Sequence, residues 1–76
     1  MIDYRDRIEA NPKIMLGKPV VKGTRITVEL ILNKIAGGYE FKEILEMYPH
    51  ITFDDILAAI GYAAAMVETE EVIVSP

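Results

Sequence analysis

The chain has 76 residues, no cysteine, one histidine and a formal net charge of −4. A chain of this length forms one small domain with a marginal core, so a dimer or a partner chain is expected. The absence of cysteine excludes a disulfide framework. No apolar run approaches the length of a membrane span, and the first residues show no signal-peptide pattern, so we expect a cytoplasmic protein without membrane association.

Charge is distributed unevenly along the chain. Residues 1–26 hold six basic and three acidic side chains, a sum of +3, whereas residues 27–76 hold two basic and nine acidic ones, a sum of −7. This division suits two different partners or front-to-back self-association, and it also suits an unevenly charged surface that only contacts water.

Residues 1–26 are predicted to form a small, irregular β element. Ile2, Tyr4 and Ile8 alternate with charged residues, as is typical of an edge strand with one apolar face. Asn11-Pro12 predicts a turn, and Val20-Val21 predicts a few residues of strand. Such short strands need a pairing partner. We therefore expect the element to pair across the subunits of a homodimer, with Tyr4, Ile8 and Val20 at the interface.

Three helices are predicted between residues 27 and 67. Thr27 is expected to cap the first helix, which ends at Gly37-Gly38. A second, shorter helix places Phe41 and Tyr48 on one apolar face and stops at Pro49. Three helices with short links predict a mainly α fold, either a helix-turn-helix or a tri-helical bundle.

The third helix, from Ile51 to Val67, has the strongest signals. Thr52 and Asp55 have the spacing of a variant capping box, and carboxylates in the first turn suit the helix dipole. Six apolar residues recur at helical spacing and predict one apolar face: Phe53, Ile56, Leu57, Ile60, Ala64 and Val67. Small residues cover most of the remaining surface, so we expect other elements to pack closely around this helix.

The chain offers few groups for catalysis. It has no Cys, its only Ser is Ser75 and its only His is His50, so no nucleophile, base and orienting group can be combined. His50 lacks a second His or Cys with which to bind a metal, and Asp54 and Asp55 are better explained by helix-start electrostatics. We therefore expect no enzyme activity, no metal and no cofactor.

The segment from Gly17 to Thr24 differs from a phosphate-binding loop, because the Gly-Lys-Thr order is absent and Pro19 removes a backbone donor. A second interpretation is that Lys18, Lys22 and Arg25 form a small basic patch that touches nucleic-acid phosphates. Ordinary solubilising charge is the simpler alternative.

A ten-residue run from Gly17 to Ile26, Gly-Lys-Pro-Val-Val-Lys-Gly-Thr-Arg-Ile, is followed by four shorter motifs. They are Tyr48-Pro49, Ile51-Thr52, Asp55-Ile56 and Tyr62-Ala63-Ala64. This pattern resembles the domain of unknown function 433 family, small prokaryotic proteins described as VapB-like antitoxins. The resemblance covers roughly Arg7 to Ala65 and implies a homeodomain-like, winged-helix-related tri-helical fold. The chain departs from the pattern at Glu40, where the family usually has Ser or Thr to cap the second helix.

The resemblance also implies a type II toxin–antitoxin role, in which the protein blocks a PIN-like ribonuclease toxin and represses its own operon as a dimer. Asp54 and Asp55 would repel phosphates at the start of the third helix, and no basic residue of that helix offsets them. We therefore expect operator DNA to meet a different set of side chains, through phosphates: Lys18, Lys22, Arg25 and Lys42.

Toxin binding suits residues 68–76, an acidic run followed by a β-prone segment at the end of the sequence. Carboxylates could stand in for RNA phosphates while apolar residues pair as a strand. The candidate toxin-binding residues are Glu68, Glu70, Glu71, Val72, Ile73 and Val74. A frayed end, or a strand that pairs within this chain or with a twin subunit, is the alternative for this segment.

We therefore predict a non-enzymatic, dimeric antitoxin in a single domain. Residues 1–26 would form the β element and basic loop, residues 27–67 the three-helix core, and residues 68–76 an acidic tail. Two alternatives stay open. A stand-alone DNA-binding regulator would bind duplex DNA with a steep salt dependence, and a structural adaptor would dock its apolar surface on another enzyme.

Overall fold

The computed structural model describes residues 2–69, which form an antiparallel ribbon of two strands followed by three helices. The elements are β1 (Ile8–Ala10), β2 (Pro19–Val21), α1 (Val28–Ala36), α2 (Phe41–Met47) and α3 (Phe53–Glu68). Two 3-10 turns, Tyr4–Asp6 and Met15–Gly17, precede the two strands. The predicted mainly α, tri-helical fold with a short N-terminal β element is confirmed.

The ribbon pairs within one chain. Ile8 lies opposite Val21, and Ala10 lies opposite Pro19. The prediction that the first strand also includes Tyr4 is wrong, because that residue opens a 3-10 turn. The carboxylate of Asp3 accepts a hydrogen bond from a backbone N–H of this turn at 2.9 Å, so a local cap competes successfully with the extended conformation.

The turn after β2 is closed by its own hydrogen bonds. Gly23 has a φ of 78°, a conformation in which a side chain would be strained. The Thr24 hydroxyl donates to the Val21 carbonyl at 2.8 Å and accepts from the Ile26 N–H at 3.0 Å. The chain is thereby reversed and delivered to Thr27, the N-cap of α1. Gly23 and Thr24 thus have a structural role in this turn.

The predicted helix starts are confirmed. Thr27 caps α1, and at α3 the Thr52 hydroxyl accepts from the Asp55 N–H at 3.2 Å while the Asp55 carboxylate accepts from the Thr52 N–H at 2.9 Å. At α2 the Glu43 carboxylate accepts from the Glu40 N–H at 2.9 Å. This contact lets α2 begin at its predicted position without a Ser or Thr cap.

The core lies where the three helices meet the ribbon. Ile31 of α1, Ile44 of α2 and Ile56 of α3 have no exposed surface, and Ile8 and Val21 close the core from the ribbon side. Ala58 and Ala59 add the small surface of α3 against which the neighbouring elements pack. The close approach of α3 to its neighbours therefore depends on alanine.

The face that α3 turns to the core differs from the predicted one. Of the six residues assigned to that face only Ile56 is buried, and α3 otherwise buries Asp55, Ala58 and Ala59. The other five lie outside the core cluster, and we call them the outer stripe: Phe53, Leu57, Ile60, Ala64 and Val67. Four of the larger apolar side chains of α3, Phe53, Leu57, Ile60 and Val67, thus lie outside the core, whereas Ile56 lies within it.

The 3-10 turn before β2 holds two non-glycine residues in the left-handed region. Met15 has a φ of 48°, Leu16 a φ of 58°, and Gly17 continues the run at 83°. The left-handed conformation has a free-energy cost of about 1–2 kcal/mol for residues other than Gly, Asn and Asp. Leu16 is 95% exposed, so its side chain gains little packing in return.

Leu16→Asn is expected to raise the free energy of unfolding by about 1 kcal/mol, because asparagine tolerates the left-handed region and little packing is lost. Urea unfolding followed by circular dichroism measures the change. Leu16→Val is the matched control and should lower stability, since a β-branched side chain is strained further there. Equal midpoints for the three proteins would contradict the strained turn.

Candidate protein-interaction surface

Arg7 ties the N-terminal segment to the start of α3. Its Nη1 donates to Asp55 Oδ1 at 3.1 Å, and its Nη2 lies 3.6 Å from Asp54 Oδ2. The buried Asp55 carboxylate also accepts the Thr52 N–H, so both of its oxygens have partners. The expectation that no basic residue offsets these two carboxylates is therefore wrong, because Arg7 contacts both. No local signal could have indicated a contact between residues 48 positions apart.

Three of the four predicted DNA-contacting residues lie around β2 and the turn that follows it. Lys18 precedes β2 and donates to Glu29 at 2.8 Å, a contact that lowers the pKa of Glu29. Lys22 and Arg25 are exposed in the turn, and neither forms an ion pair with any residue between 2 and 69. Lys42 is exposed on α2, a separate element. The patch is therefore centred on Lys22 and Arg25.

The residues predicted for a dimer interface lie elsewhere than expected. Ile8 is in the core and Val20 has no exposed surface, so neither side chain is available to a second subunit. Tyr4 is half-buried and packs edge-to-face on Tyr62, with ring centroids 5.5 Å apart. This correction has a simple cause, because the two short strands satisfy each other within one chain.

Of the predicted toxin-binding residues, Glu68 is exposed at the last position of α3. The other five lie outside the described residues: Glu70, Glu71, Val72, Ile73 and Val74. From Ile60 onward no described residue of α3 is buried, and Tyr62 is the last of its side chains that packs against the core. The final turns of α3 therefore extend beyond the core.

The outer stripe forms an exposed apolar surface along α3. Phe53 is 50% exposed, Ile60 37% and Val67 60%. Phe41 of α2 widens the stripe at its start, its ring centroid 5.7 Å from that of Phe53. Exposed apolar side chains aligned in this way on a small domain are typical of a surface that binds a protein, a membrane or a ligand. The helical periodicity predicts these residues as one apolar face of α3 but does not determine whether that face lies inward or outward.

A shallow groove of about 440 Å³ runs beside the far end of the stripe. The N-terminal segment forms one wall with Ile2 and Tyr4, and α3 forms the other with Gly61, Ala64 and Ala65. α3 is thus apolar on its core face and on much of its outer surface. A helix of that composition is typically buried on all sides, whereas α3 is covered on its core face and exposed along the outer stripe.

Chemistry-bearing groups are sparse in the part of the chain that the structure describes. No three His, Asp or Glu side chains between residues 2 and 69 lie close enough to hold a metal ion. His50 is exposed in the turn before α3. Among the same residues, no helix has the length and apolar character needed to span a membrane. The surface on α3 is the clearest candidate site.

A family model described as "Protein of unknown function (DUF433)" matches residues 8–63. The chain belongs to this family. The uncharacterized protein y4eO of Sinorhizobium fredii (strain NBRC 101917 / NGR234) is 34% identical over 61 residues, which are 80% of this chain and 28% of that protein. The DUF433 member of Anabaena variabilis ATCC 29413, a crystal structure, matches with a TM-score of 0.79 at 30% identity.

The match to the Anabaena variabilis protein covers 84% of this chain and 63% of that chain. This DUF433 chain therefore spans less than two thirds of either relative's length. The family match ends at residue 63, before Ala64, Val67 and Glu68. The outer end of α3 thus lies beyond the sequence that defines the family.

Arg7→Met is expected to destabilise the fold by about 1–3 kcal/mol, because it removes a charged donor from a buried carboxylate. Thermal and urea unfolding measure the loss. Asp54→Asn is the matched control and should change stability by no more than about 0.5 kcal/mol, since that pair is exposed and longer. Similar losses for the two variants would show that Asp55 does not dominate the contact.

Proposed function

We propose that this DUF433 protein is a non-enzymatic antitoxin that binds a PIN-like ribonuclease and blocks its RNA-binding groove with residues 68–76. The observation that carries the proposal is the end of α3, which leaves the core and exposes Met66, Val67 and Glu68 just before the acidic run. The resemblance of the family to VapB-like antitoxins supports the same role. The exposed apolar side chains at the end of α3 offer a binding surface.

The two kinds of side chain at this end have separate physical roles. Met66 and Val67, 40% and 60% exposed, can bury apolar area against a protein, which gives affinity. Three glutamates within residues 68–71 carry negative charge that a basic RNA groove attracts, which gives recognition and a fast encounter. Residues 27–76 carry a net charge of −7, which favours the same basic partner.

Deletion of residues 68–76 should abolish binding of the ribonuclease and leave the helix content and unfolding midpoint nearly unchanged, because Tyr62 is the last described residue of α3 that packs against the core. The tagged chain is purified from its native cells at low and high salt, the bound protein is identified, and its ribonuclease activity is assayed with each variant added. Full inhibition by the shortened chain would refute the proposed mode of binding.

Replacing Glu68, Glu70 and Glu71 by Gln separates charge from apolar burial. This triple variant should bind the ribonuclease about tenfold or more weakly at low salt and approach the parent protein at high salt. Glu46→Gln, an exposed glutamate on α2, is the control and should bind normally. A protein partner without ribonuclease activity would instead support the structural adaptor.

A DNA-binding regulator is the second candidate, and one observation favours it: Lys22 and Arg25 share one exposed turn, and neither forms an ion pair among residues 2–69. Lys22→Ala with Arg25→Ala should weaken duplex DNA binding for all sequences and lower the slope of log K against log salt by about two. Lys13→Ala with Lys34→Ala removes equal charge elsewhere and should alter binding little. An unchanged slope would exclude this patch.

A further inference from the structure

The spacing of the outer stripe is that of a helix–helix seam. Its five residues follow one another at intervals of four, three, four and three, the repeat that places apolar side chains along one line of a helix for packing against a second helix. None of them belongs to the core cluster. The chain thus has an apolar seam on α3, and Phe41 of α2 touches its first residue, while Ile60 and Val67 stay exposed.

The seam can be removed from water without burying a charge. No charged residue occurs between Ile56 and Val67. Asp54, beside the start of the seam, faces Arg7 at 3.6 Å, and Glu68 lies beyond its last residue. Burial of an unpaired charge is the main cost that opposes such contacts, and here that cost does not arise.

We propose that the outer stripe binds a second copy of this chain, with the two α3 helices packed antiparallel. Side-chain volumes support this occupant. In an antiparallel register that pairs Leu57 of one copy with Ile60 of the other, Phe53 of each copy lies opposite Ala64 of the other, so the largest side chain meets the smallest. A parallel pair would set Phe53 against Phe53 and leave a gap between the two alanines.

The antiparallel arrangement is an isologous contact, since each copy offers the same surface. α3 is 16 residues long, about 24 Å, and Phe41 adds to the contact at both ends. Specific dimers bury about 800 Å² from each partner, and one helix of this length supplies less. The dimer should therefore form at micromolar concentrations and dissociate on dilution. This inference is independent of the ribonuclease.

Sedimentation equilibrium of the full chain over a range of concentrations tests the seam. Ile60→Glu places a carboxylate at the centre of the contact and should raise the dissociation constant of the dimer about a hundredfold or more. Met66→Glu is the matched control: the two residues are on the same helix and are 37% and 40% exposed, but Met66 is outside the stripe. Its dissociation constant should stay within about threefold of the parent value.

Two results would overturn the proposal at this stage. One is a parent protein that remains monomeric at millimolar concentration, and the other is an equal effect of Ile60→Glu and Met66→Glu. Because Ile60 lies outside the core cluster, Ile60→Glu should keep the helix content of the parent protein by circular dichroism. A monomer that results from unfolding would therefore be recognised.

The direction of the two helices is tested with a spin label. The chain has no cysteine, so Glu68→Cys gives a single labelling position. In the proposed register the two labels should be about 30 Å apart, because 19 residue steps separate them along the axis. Parallel helices would bring the labels within about 10 Å. Pulsed electron paramagnetic resonance distinguishes the two distances, and the short one would overturn the antiparallel contact.

Discussion

The contact between the half-buried Arg7 and the buried Asp55 is the constraint from which the rest of the structure follows. A carboxylate in this position is tolerated only with partners, and Asp55 obtains one from Thr52 and one from Arg7. The first contact fixes where α3 begins, and the second draws the N-terminal segment across that start. Because Asp55 must face inward, the helix is also fixed in rotation. Ala58 and Ala59 then lie in the core, and the outer stripe faces away.

The local parts of this fold could be predicted from sequence because their causes are local. Thr27 and Thr52 each cap a helix by accepting a hydrogen bond from a backbone N–H three residues further along. Pro49 ends the second helix regardless of the tertiary fold, because proline lacks a backbone N–H. The rotation of α3 could not be predicted in the same way. The helix has one apolar face of small side chains and another of large ones. The periodicity of the large side chains indicates the outer stripe, whereas the face with Ala58 and Ala59 is the one that packs in the core. What decides between them is an arginine 48 positions away.

The candidate site shows the same division. The residues of the outer stripe, the tail and the basic turn could be identified from the sequence. Their exposure and their ion-pair partners could not. Lys18 is engaged by Glu29, an exposed pair 11 positions apart, whereas Lys22 and Arg25 stay in water. Ile8 and Val20 seemed suited to an interface because short strands need partners. The ribbon supplies that partner within the chain, and the exposed apolar surface is on α3 instead.

The two proposed contacts of α3 differ in their electrostatic requirements. The stripe between Leu57 and Val67 carries no charge, while the three glutamates of residues 68–71 carry three negative charges at its end. Parallel α3 helices would place the two Glu68 carboxylates side by side, and their repulsion would oppose dimer formation. Antiparallel helices separate the two Glu68 positions by about 30 Å, well beyond the Debye length at physiological salt. Each tail would then be free to enter the groove of a separate ribonuclease. In the proposed register Val67 lies beyond Phe53 of the other copy, so self-association would depend on residues 53–64 of α3 and toxin binding on its last residues, Met66, Val67 and Glu68.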